Sequence, residues 1–179
     1  MHSKFHPAQE LATILAELRR QGKRIVFTNG CFDLLHPGHI YTLTQAKAMG
    51  DVLVVGINSD LSVKRLKGEH RPILTEEERL LLLSALEAVQ YVTVFNEDTP
   101  LELIRQLRPQ VLVKGGDWSP EAVVGRQEVE KDGGIVVVIP YQPGFSTTRI
   151  IERIVTACQK AAQPEANVTP HPAARTAHS

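Results

Sequence analysis

The chain has 179 residues, 42% hydrophobic and 22% charged, which suits one domain with a proper core but not two large ones. Twenty Lys and Arg balance 20 Asp and Glu, so the general attraction that draws proteins to nucleic acid is missing, and 5% aromatic residues leave no stacking platform for single strands. No apolar run approaches the ~20 residues that span a bilayer, and Met1 to Glu10 holds no signal-peptide core, so no membrane partner is expected. Cys31 and Cys158 are far apart and in no metal-like spacing, which points away from a disulfide framework and towards the reducing cytoplasm.

In chain order, residues 8–20 place Leu11, Ile14, Leu15 and Leu18 at helical spacing, with Gly22 as the stop. Arg24 to Thr28 reads as a strand, and a helix follows from Gly38 to Met49. Val52 to Ile57 is the second strand, its continuous apolar run suiting a parallel strand covered on both faces. Leu61 to Arg71, rich in cations around Gly68, reads as a mobile loop with at most a short helix. Thr75 with Glu78 forms a capping-box signature that opens a leucine-rich helix to about Ala88. Tyr91 to Phe95 is the third strand, and Thr99-Pro100 launches a helix to Leu107. Val111 to Lys114, Ala122 to Lys131 and Ile135 to Ile139 read as strand, helix and strand. Ser146 or Thr147 caps a last helix to about Gln159.

This alternation predicts an α/β fold, a Rossmann-like doubly wound sheet of about five parallel strands with helices on both faces. Ligands of such sheets lie beyond the carboxyl ends of the strands, where strand order reverses. A single domain over residues 1–160 is expected, and residues 161–179, without periodicity, read as a disordered tail.

The stretch Thr28 to His39, TNGCFDLLHPGH, is where chemistry concentrates. It leads from a strand into a helix N-terminus, where backbone N–H groups and the helix dipole favour an anion. His36 and His39 share one face of the entering turn, and Gly38 between them lets a ligand approach. Imidazole donors aimed at a phosphate stabilise charge developing in a transition state. Taken alone, the pair equally suits a metal or hydrogen bonding within the turn, although no further metal ligands stand at natural spacing. Neither GxGxxG nor a Walker motif is present. Near the other end, Ser146, Thr147 and Thr148 at the start of the last helix, followed by Arg149, exceed what capping needs and suit phosphate oxygens.

TNGCFDLLHPGH, GDVLVVGINSD, RPILTEEER, VKGGDW and GFSTTRI, in this order from about Arg24 to Ile154, resemble the HxGH nucleotidyltransferase superfamily in its cytidylyltransferase-like branch. Within that branch the wording is most similar to the adenylyltransferases of ADP-heptose synthesis. The resemblance implies transfer of AMP from ATP to D-glycero-β-D-manno-heptose 1-phosphate, with pyrophosphate released, in a stand-alone form without a kinase domain. It makes His36, His39 and Arg79 the catalytic residues. It assigns nucleotide and phosphate contacts to Thr28, Asn29, Gly30, Cys31, Phe32, Gly38, Lys64, Lys67, Lys114, Gly116, Asp117, Ser146, Thr147 and Thr148. Mg²⁺ would ride on the ATP phosphates without a protein cage. A homodimer is implied, with the leucines of residues 80–86 as apolar surface. A cytidylyltransferase acting on glycerol 3-phosphate and a nucleotide-binding module without turnover are the alternatives.

Overall fold

The structure, a computed structural model, describes residues 4–162. The expectation for the tail beyond residue 162 therefore lies outside the described residues. They fall into two compact units divided after Thr147.

In the first unit β1 (Ile25–Gly30), β2 (Val52–Asn58), β3 (Tyr91–Phe95), β4 (Val111–Gly115) and β5 (Ile135–Ile139) form one parallel sheet in the order β3-β2-β1-β4-β5. Alternation of side chains along each strand builds a core on either face. Val26, Leu53, Val55, Ile57, Val111 and Val113 pack with Leu43 and Ala46 of α2 (Pro37–Lys47) and with Leu80 and Leu83 of α4 (Glu76–Ser84). On the opposite face Ile25, Phe27, Val52, Val54 and Leu112 meet Leu11 and Leu15 of α1 (Ala8–Arg20). Leu103, Ile104 and Leu107 of α5 (Leu101–Leu107) and Val129 of α6 (Arg126–Lys131) complete that side. Because both faces are covered, β2 is buried along its whole length, which explains its unbroken apolar run.

The chain winds outward from β1 through β2 to β3, then returns to lay β4 on the other side of β1. The reversal opens a crevice at the carboxyl ends of β1 and β4.

The capping box forms as read: Thr75 N–H donates to Glu78 Oε2 (2.8 Å), and Glu78 N–H donates to Thr75 Oγ1 (3.3 Å). Three stretches differ from the sequence reading. Residues 60–67 are a helix, α3 (Asp60–Lys67), because Ser59 Oγ accepts from Ser62 N–H and buried Val63 anchors the turn. The leucine-rich helix stops at Ser84, since buried Val89 and the Gln90 side chain, which accepts from Leu53 N–H at 2.8 Å, turn the chain into β3. The helix expected over 122–131 breaks at Gly125, whose φ of +90° suits glycine and whose missing Cβ leaves room for Ile104. A 3₁₀ turn (Pro120–Ala122) precedes the break. A contact absent from the sequence reading extends the sheet edge: Val92 N–H donates to the Lys4 carbonyl and His6 N–H to the Val92 carbonyl.

The second unit holds the rest of α7 (Thr147–Ala161), where Ile150, Ile151, Ile154, Val155 and Cys158 recur at helical spacing. Among the described residues no helix is long and apolar enough to cross a membrane.

Gly50, at the turn from α2 into β2, has no room for a side chain: a Cβ would stand 2.7 Å from both the Arg24 carbonyl and Val26 Cγ2. Gly50→Ala is expected to cost about 1–3 kcal/mol, seen as a lower urea midpoint at unchanged m. An unchanged midpoint would mean that the start of β1 yields freely.

Candidate active site

β1 delivers the chain to the crevice, and the loop after it is built under strain. Phe32 and Leu34, neither of them glycine, take φ of 49° and 54°. The residue between them holds this conformation. The Asp33 carboxylate has 0% exposure and accepts from Arg71 Nε at 2.6 Å, Ile73 N–H at 2.8 Å and Leu74 N–H at 2.9 Å. Burial alone would push its carboxyl up, but the two backbone donors and the guanidinium outweigh that and hold it below the ordinary carboxylate range. The Asp33 carbonyl accepts in turn from Thr147 Oγ1 at 2.7 Å.

Arg79 grips the same loop from below. Its side chain is fully buried, and the guanidinium donates to the carbonyls of Cys31 (2.7 Å), Asn58 (2.8 Å) and Leu74 (3.2 Å) and to Asp60 Oδ1 (2.7 Å). Arg79, which the family resemblance names as catalytic, thus also braces the loop. An arginine so enclosed ties the ends of β1 and β2 to α3 and α4. Burial of a charge is tolerable here because four donors are satisfied.

So held, the loop enters α2 with His36 at the N-cap and Pro37 in the first turn. The His36 and His39 rings stack, centroids 3.8 Å apart and planes 18° from parallel, with Phe32 packed 5.2 Å from His39. Gly38 leaves little room: a Cβ there would come within 3.1 Å of His36 Nδ1 and 3.4 Å of Phe145 Cβ. The Nδ1 atoms of both histidines are buried without a hydrogen-bond partner, a cost of about 1–3 kcal/mol per atom that native proteins carry chiefly at functional sites. Burial, with the His36 imidazole as a second cause, pushes His39 down to about 4, and burial lowers His36 as well. At neutral pH the two rings face each other uncharged. The metal reading of the pair finds no support, since no three His, Cys, Asp or Glu side chains gather among the described residues.

The opposite wall comes from β4. Lys114 Nζ approaches Asn29 Oδ1 at 3.4 Å and lies 5.7 Å from the centre of the Trp118 ring, and burial lowers its ammonium. Gly116, at φ +128°, lies under the Trp118 and Tyr141 rings, which a Cβ would meet at 3.0 and 3.2 Å. Burial pushes the Cys31 thiol up, opposed by the charges of Lys67, Arg79 and Arg71.

Of the residues singled out from sequence, Cys31, Phe32, His36, Gly38, His39 and Thr147 therefore meet at one turn, while Asn29, Gly30, Lys114 and Gly116 line the ends of β1 and β4. Ser146 adjoins Thr147 in the first unit, and Thr148 begins the second. Thr28 is buried within β1, and Lys64 and Asp117 are exposed. Sequence reasoning passed over Asp33 and Arg71, and also the exposed rings of Trp118, Tyr141 and Phe145. An acid set among apolar residues in FDLL was the available signal for Asp33.

The lowered His39 has a stability consequence. Between the ordinary imidazole range near 6.5 and about 4, the unfolded chain binds this proton before the folded one does. Stability is expected to fall as pH drops through that window, by up to roughly 3 kcal/mol, as measured by urea unfolding from pH 7.5 to 4.5. His39→Gln is expected to flatten the slope; an equal slope in both proteins would assign it elsewhere.

Residues 27–153 match the family model described as cytidylyltransferase-like. Among curated relatives, the bifunctional protein HldE of Geobacter sulfurreducens is 57% identical over 147 residues, covering 82% of this chain and 30% of that protein. HldE of Pelobacter propionicus is 54% identical over 153 residues, covering 86% and 31%. The chain thus spans about a third of the length of these relatives. A lipopolysaccharide core biosynthesis protein from Thermoplasma volcanium aligns with a TM-score of 0.56 at 32% identity, covering 68% of this chain and 98% of that one. A pantoate-β-alanine ligase from Francisella tularensis, solved with an ATP analogue and β-alanine, shares the fold at a TM-score of 0.55 and 16% identity, with 87% and 78% covered. With the family model covering the sheet and both ends of the crevice, the chain belongs to the cytidylyltransferase-like family of nucleotidyltransferases.

Proposed function

We propose that this chain transfers AMP from ATP to D-glycero-β-D-manno-heptose 1-phosphate, giving ADP-heptose and pyrophosphate for lipopolysaccharide core synthesis. The observation that carries the reading is the stacked, uncharged His36–His39 pair with its unpartnered Nδ1 atoms, at the crevice where the strand order reverses. The similarity to HldE proteins and to a lipopolysaccharide core biosynthesis protein supports this choice of acceptor.

In the reaction an oxygen of the sugar phosphate attacks the α-phosphorus in line, a new P–O bond forms, and the bond to the β-phosphate oxygen breaks as pyrophosphate leaves. Such transfer needs positioning and charge stabilisation more than covalent help. His36 and His39 donate hydrogen bonds to the α-phosphate as charge builds on its oxygens. Ser146, Thr147 and Thr148 hold the β- and γ-phosphates, with Lys64, Lys67 and Lys114 supplying positive charge. The backbone of Gly30, Cys31 and Phe32 borders the nucleotide, and Gly116 and Asp117 face its base or ribose. Mg²⁺ enters as part of the MgATP substrate. A reaction fed by ATP, in a chain whose Cys31 and Cys158 are both free thiols, fits the cytoplasm. Residues Leu81 and Leu82, exposed on α4 while Leu80 and Leu83 are buried, supply apolar surface for a homodimer, which light scattering on the purified chain would read.

The family description favours a second reading, a cytidylyltransferase acting on an alcohol phosphate such as glycerol 3-phosphate. Pyrophosphate release measured for each nucleoside triphosphate with each acceptor separates the two. ATP with the heptose phosphate is expected to be the productive pair. His36→Ala and His39→Ala are expected to lower turnover by about 10²–10³ while unfolding stays cooperative. Parent rates in both variants would overturn the assignment.

A further inference from the structure

We propose that Arg71 is a phosphate-contacting residue of this site, its guanidinium aimed by the buried carboxylate of Asp33; the inference rests on the nucleotidyl-transfer reading above. Three observations carry it.

The first is what the ion pair leaves unused. Arg71 donates through Nε alone, at 2.6 Å to Asp33 Oδ2, and its Nη groups make no hydrogen bond among the described residues. A planar guanidinium fixed at Nε keeps its Nη donors in a set direction, the geometry that suits a phosphate. The second is exposure. The Arg71 side chain is 19% exposed, whereas its carboxylate partner is wholly enclosed. Arg79, the other arginine at this loop, differs: it is buried and four of its donors are used.

The third is the surrounding charge. Lys67 and Arg71 both act on the Cys31 thiol, and Lys67 acts on the half-buried Lys114, so three cations share one neighbourhood. Asp33 sets a single negative charge against them, and its carboxylate is already held by the N–H groups of Ile73 and Leu74. A carboxylate that keeps two backbone donors does not need the guanidinium to stay buried. The ion pair serves instead to hold Arg71 still beside the crevice, and Asp33 is its positioning residue.

The ligand chemistry is a phosphate oxygen, which the nucleoside triphosphate and the sugar 1-phosphate both offer. Arg71→Met keeps the aliphatic stem and removes the donors. In steady-state assays it is expected to raise KM at least tenfold for one of the two substrates, with a smaller change in kcat. The substrate affected identifies the source of the phosphate. Arg71→Lys keeps the positive charge but not the donors that a fixed Nε aims, and is expected to recover little of the lost KM. Calorimetry on the parent and on Arg71→Met, titrating ATP, pyrophosphate and the heptose 1-phosphate in turn, gives the same comparison without turnover. A parent protein that binds but releases no pyrophosphate would defeat the transfer reading, and the calorimetry would then decide on Arg71 alone. Tenfold weaker binding of any of the three probes supports the assignment. KM and Kd values all within twofold of the parent overturn it and leave the Asp33–Arg71 pair a structural clamp.

Discussion

One carboxylate removed from solvent organises the crevice. Asp33 stands between two residues whose left-handed backbone is unfavourable for side chains of their size, and conformations of that kind persist only when their surroundings over-determine them. Its side chain gathers residues 71–74 and its carbonyl takes the Thr147 hydroxyl. Segments distant in sequence thus meet at the turn that presents His36 and His39. Arg79 fixes the same loop two residues earlier through the Cys31 carbonyl. The loop that carries the histidines is thus held from several sides by groups that satisfy one another.

Partial burial sets the charge state of the pair. Two imidazoles stacked at 3.8 Å cannot readily both be charged, and burial keeps them neutral. Neutral rings suit a transfer in which no side chain need carry a proton away from an already ionised phosphate acceptor. On the proposed reading, the positive charge that a polyphosphate demands would come from elsewhere, from lysines and an arginine around the rim. The proposed division between uncharged donors and cations has a basis in the fold, because the turn entering α2 is packed against Phe32 while Lys64 and Lys67 lie on α3 and Lys114 at the end of β4.

Much of this could be read from the residues. Apolar alternation and start and stop signals gave the order of elements, since each strand carries its own apolar pattern and each helix its own ends. The histidine pair and the hydroxyls were visible because their residue types are unusual for the positions they hold. What escaped was tertiary. The resemblance singles out Arg79, but no local pattern in its run of glutamates reports that the packing of α4 against the ends of β1 and β2 encloses it. Arg71 sat in a run of cations that reads as a solvated loop, and its partner lies 38 positions away. No local pattern reports a pairing at that distance. Gly125 was hidden for the same reason, because the side chain that would clash with a Cβ there belongs to α5.

The account rests on where a bound α-phosphate sits. A crystal structure with a non-hydrolysable ATP analogue is the most direct measurement. The expected result is an α-phosphate within hydrogen-bonding distance of ring nitrogens of both His36 and His39, with the terminal phosphates towards Thr147. A triphosphate bound elsewhere, for instance in the recess lined by Arg105, Arg108 and Lys131 between α5 and α6, would contradict it.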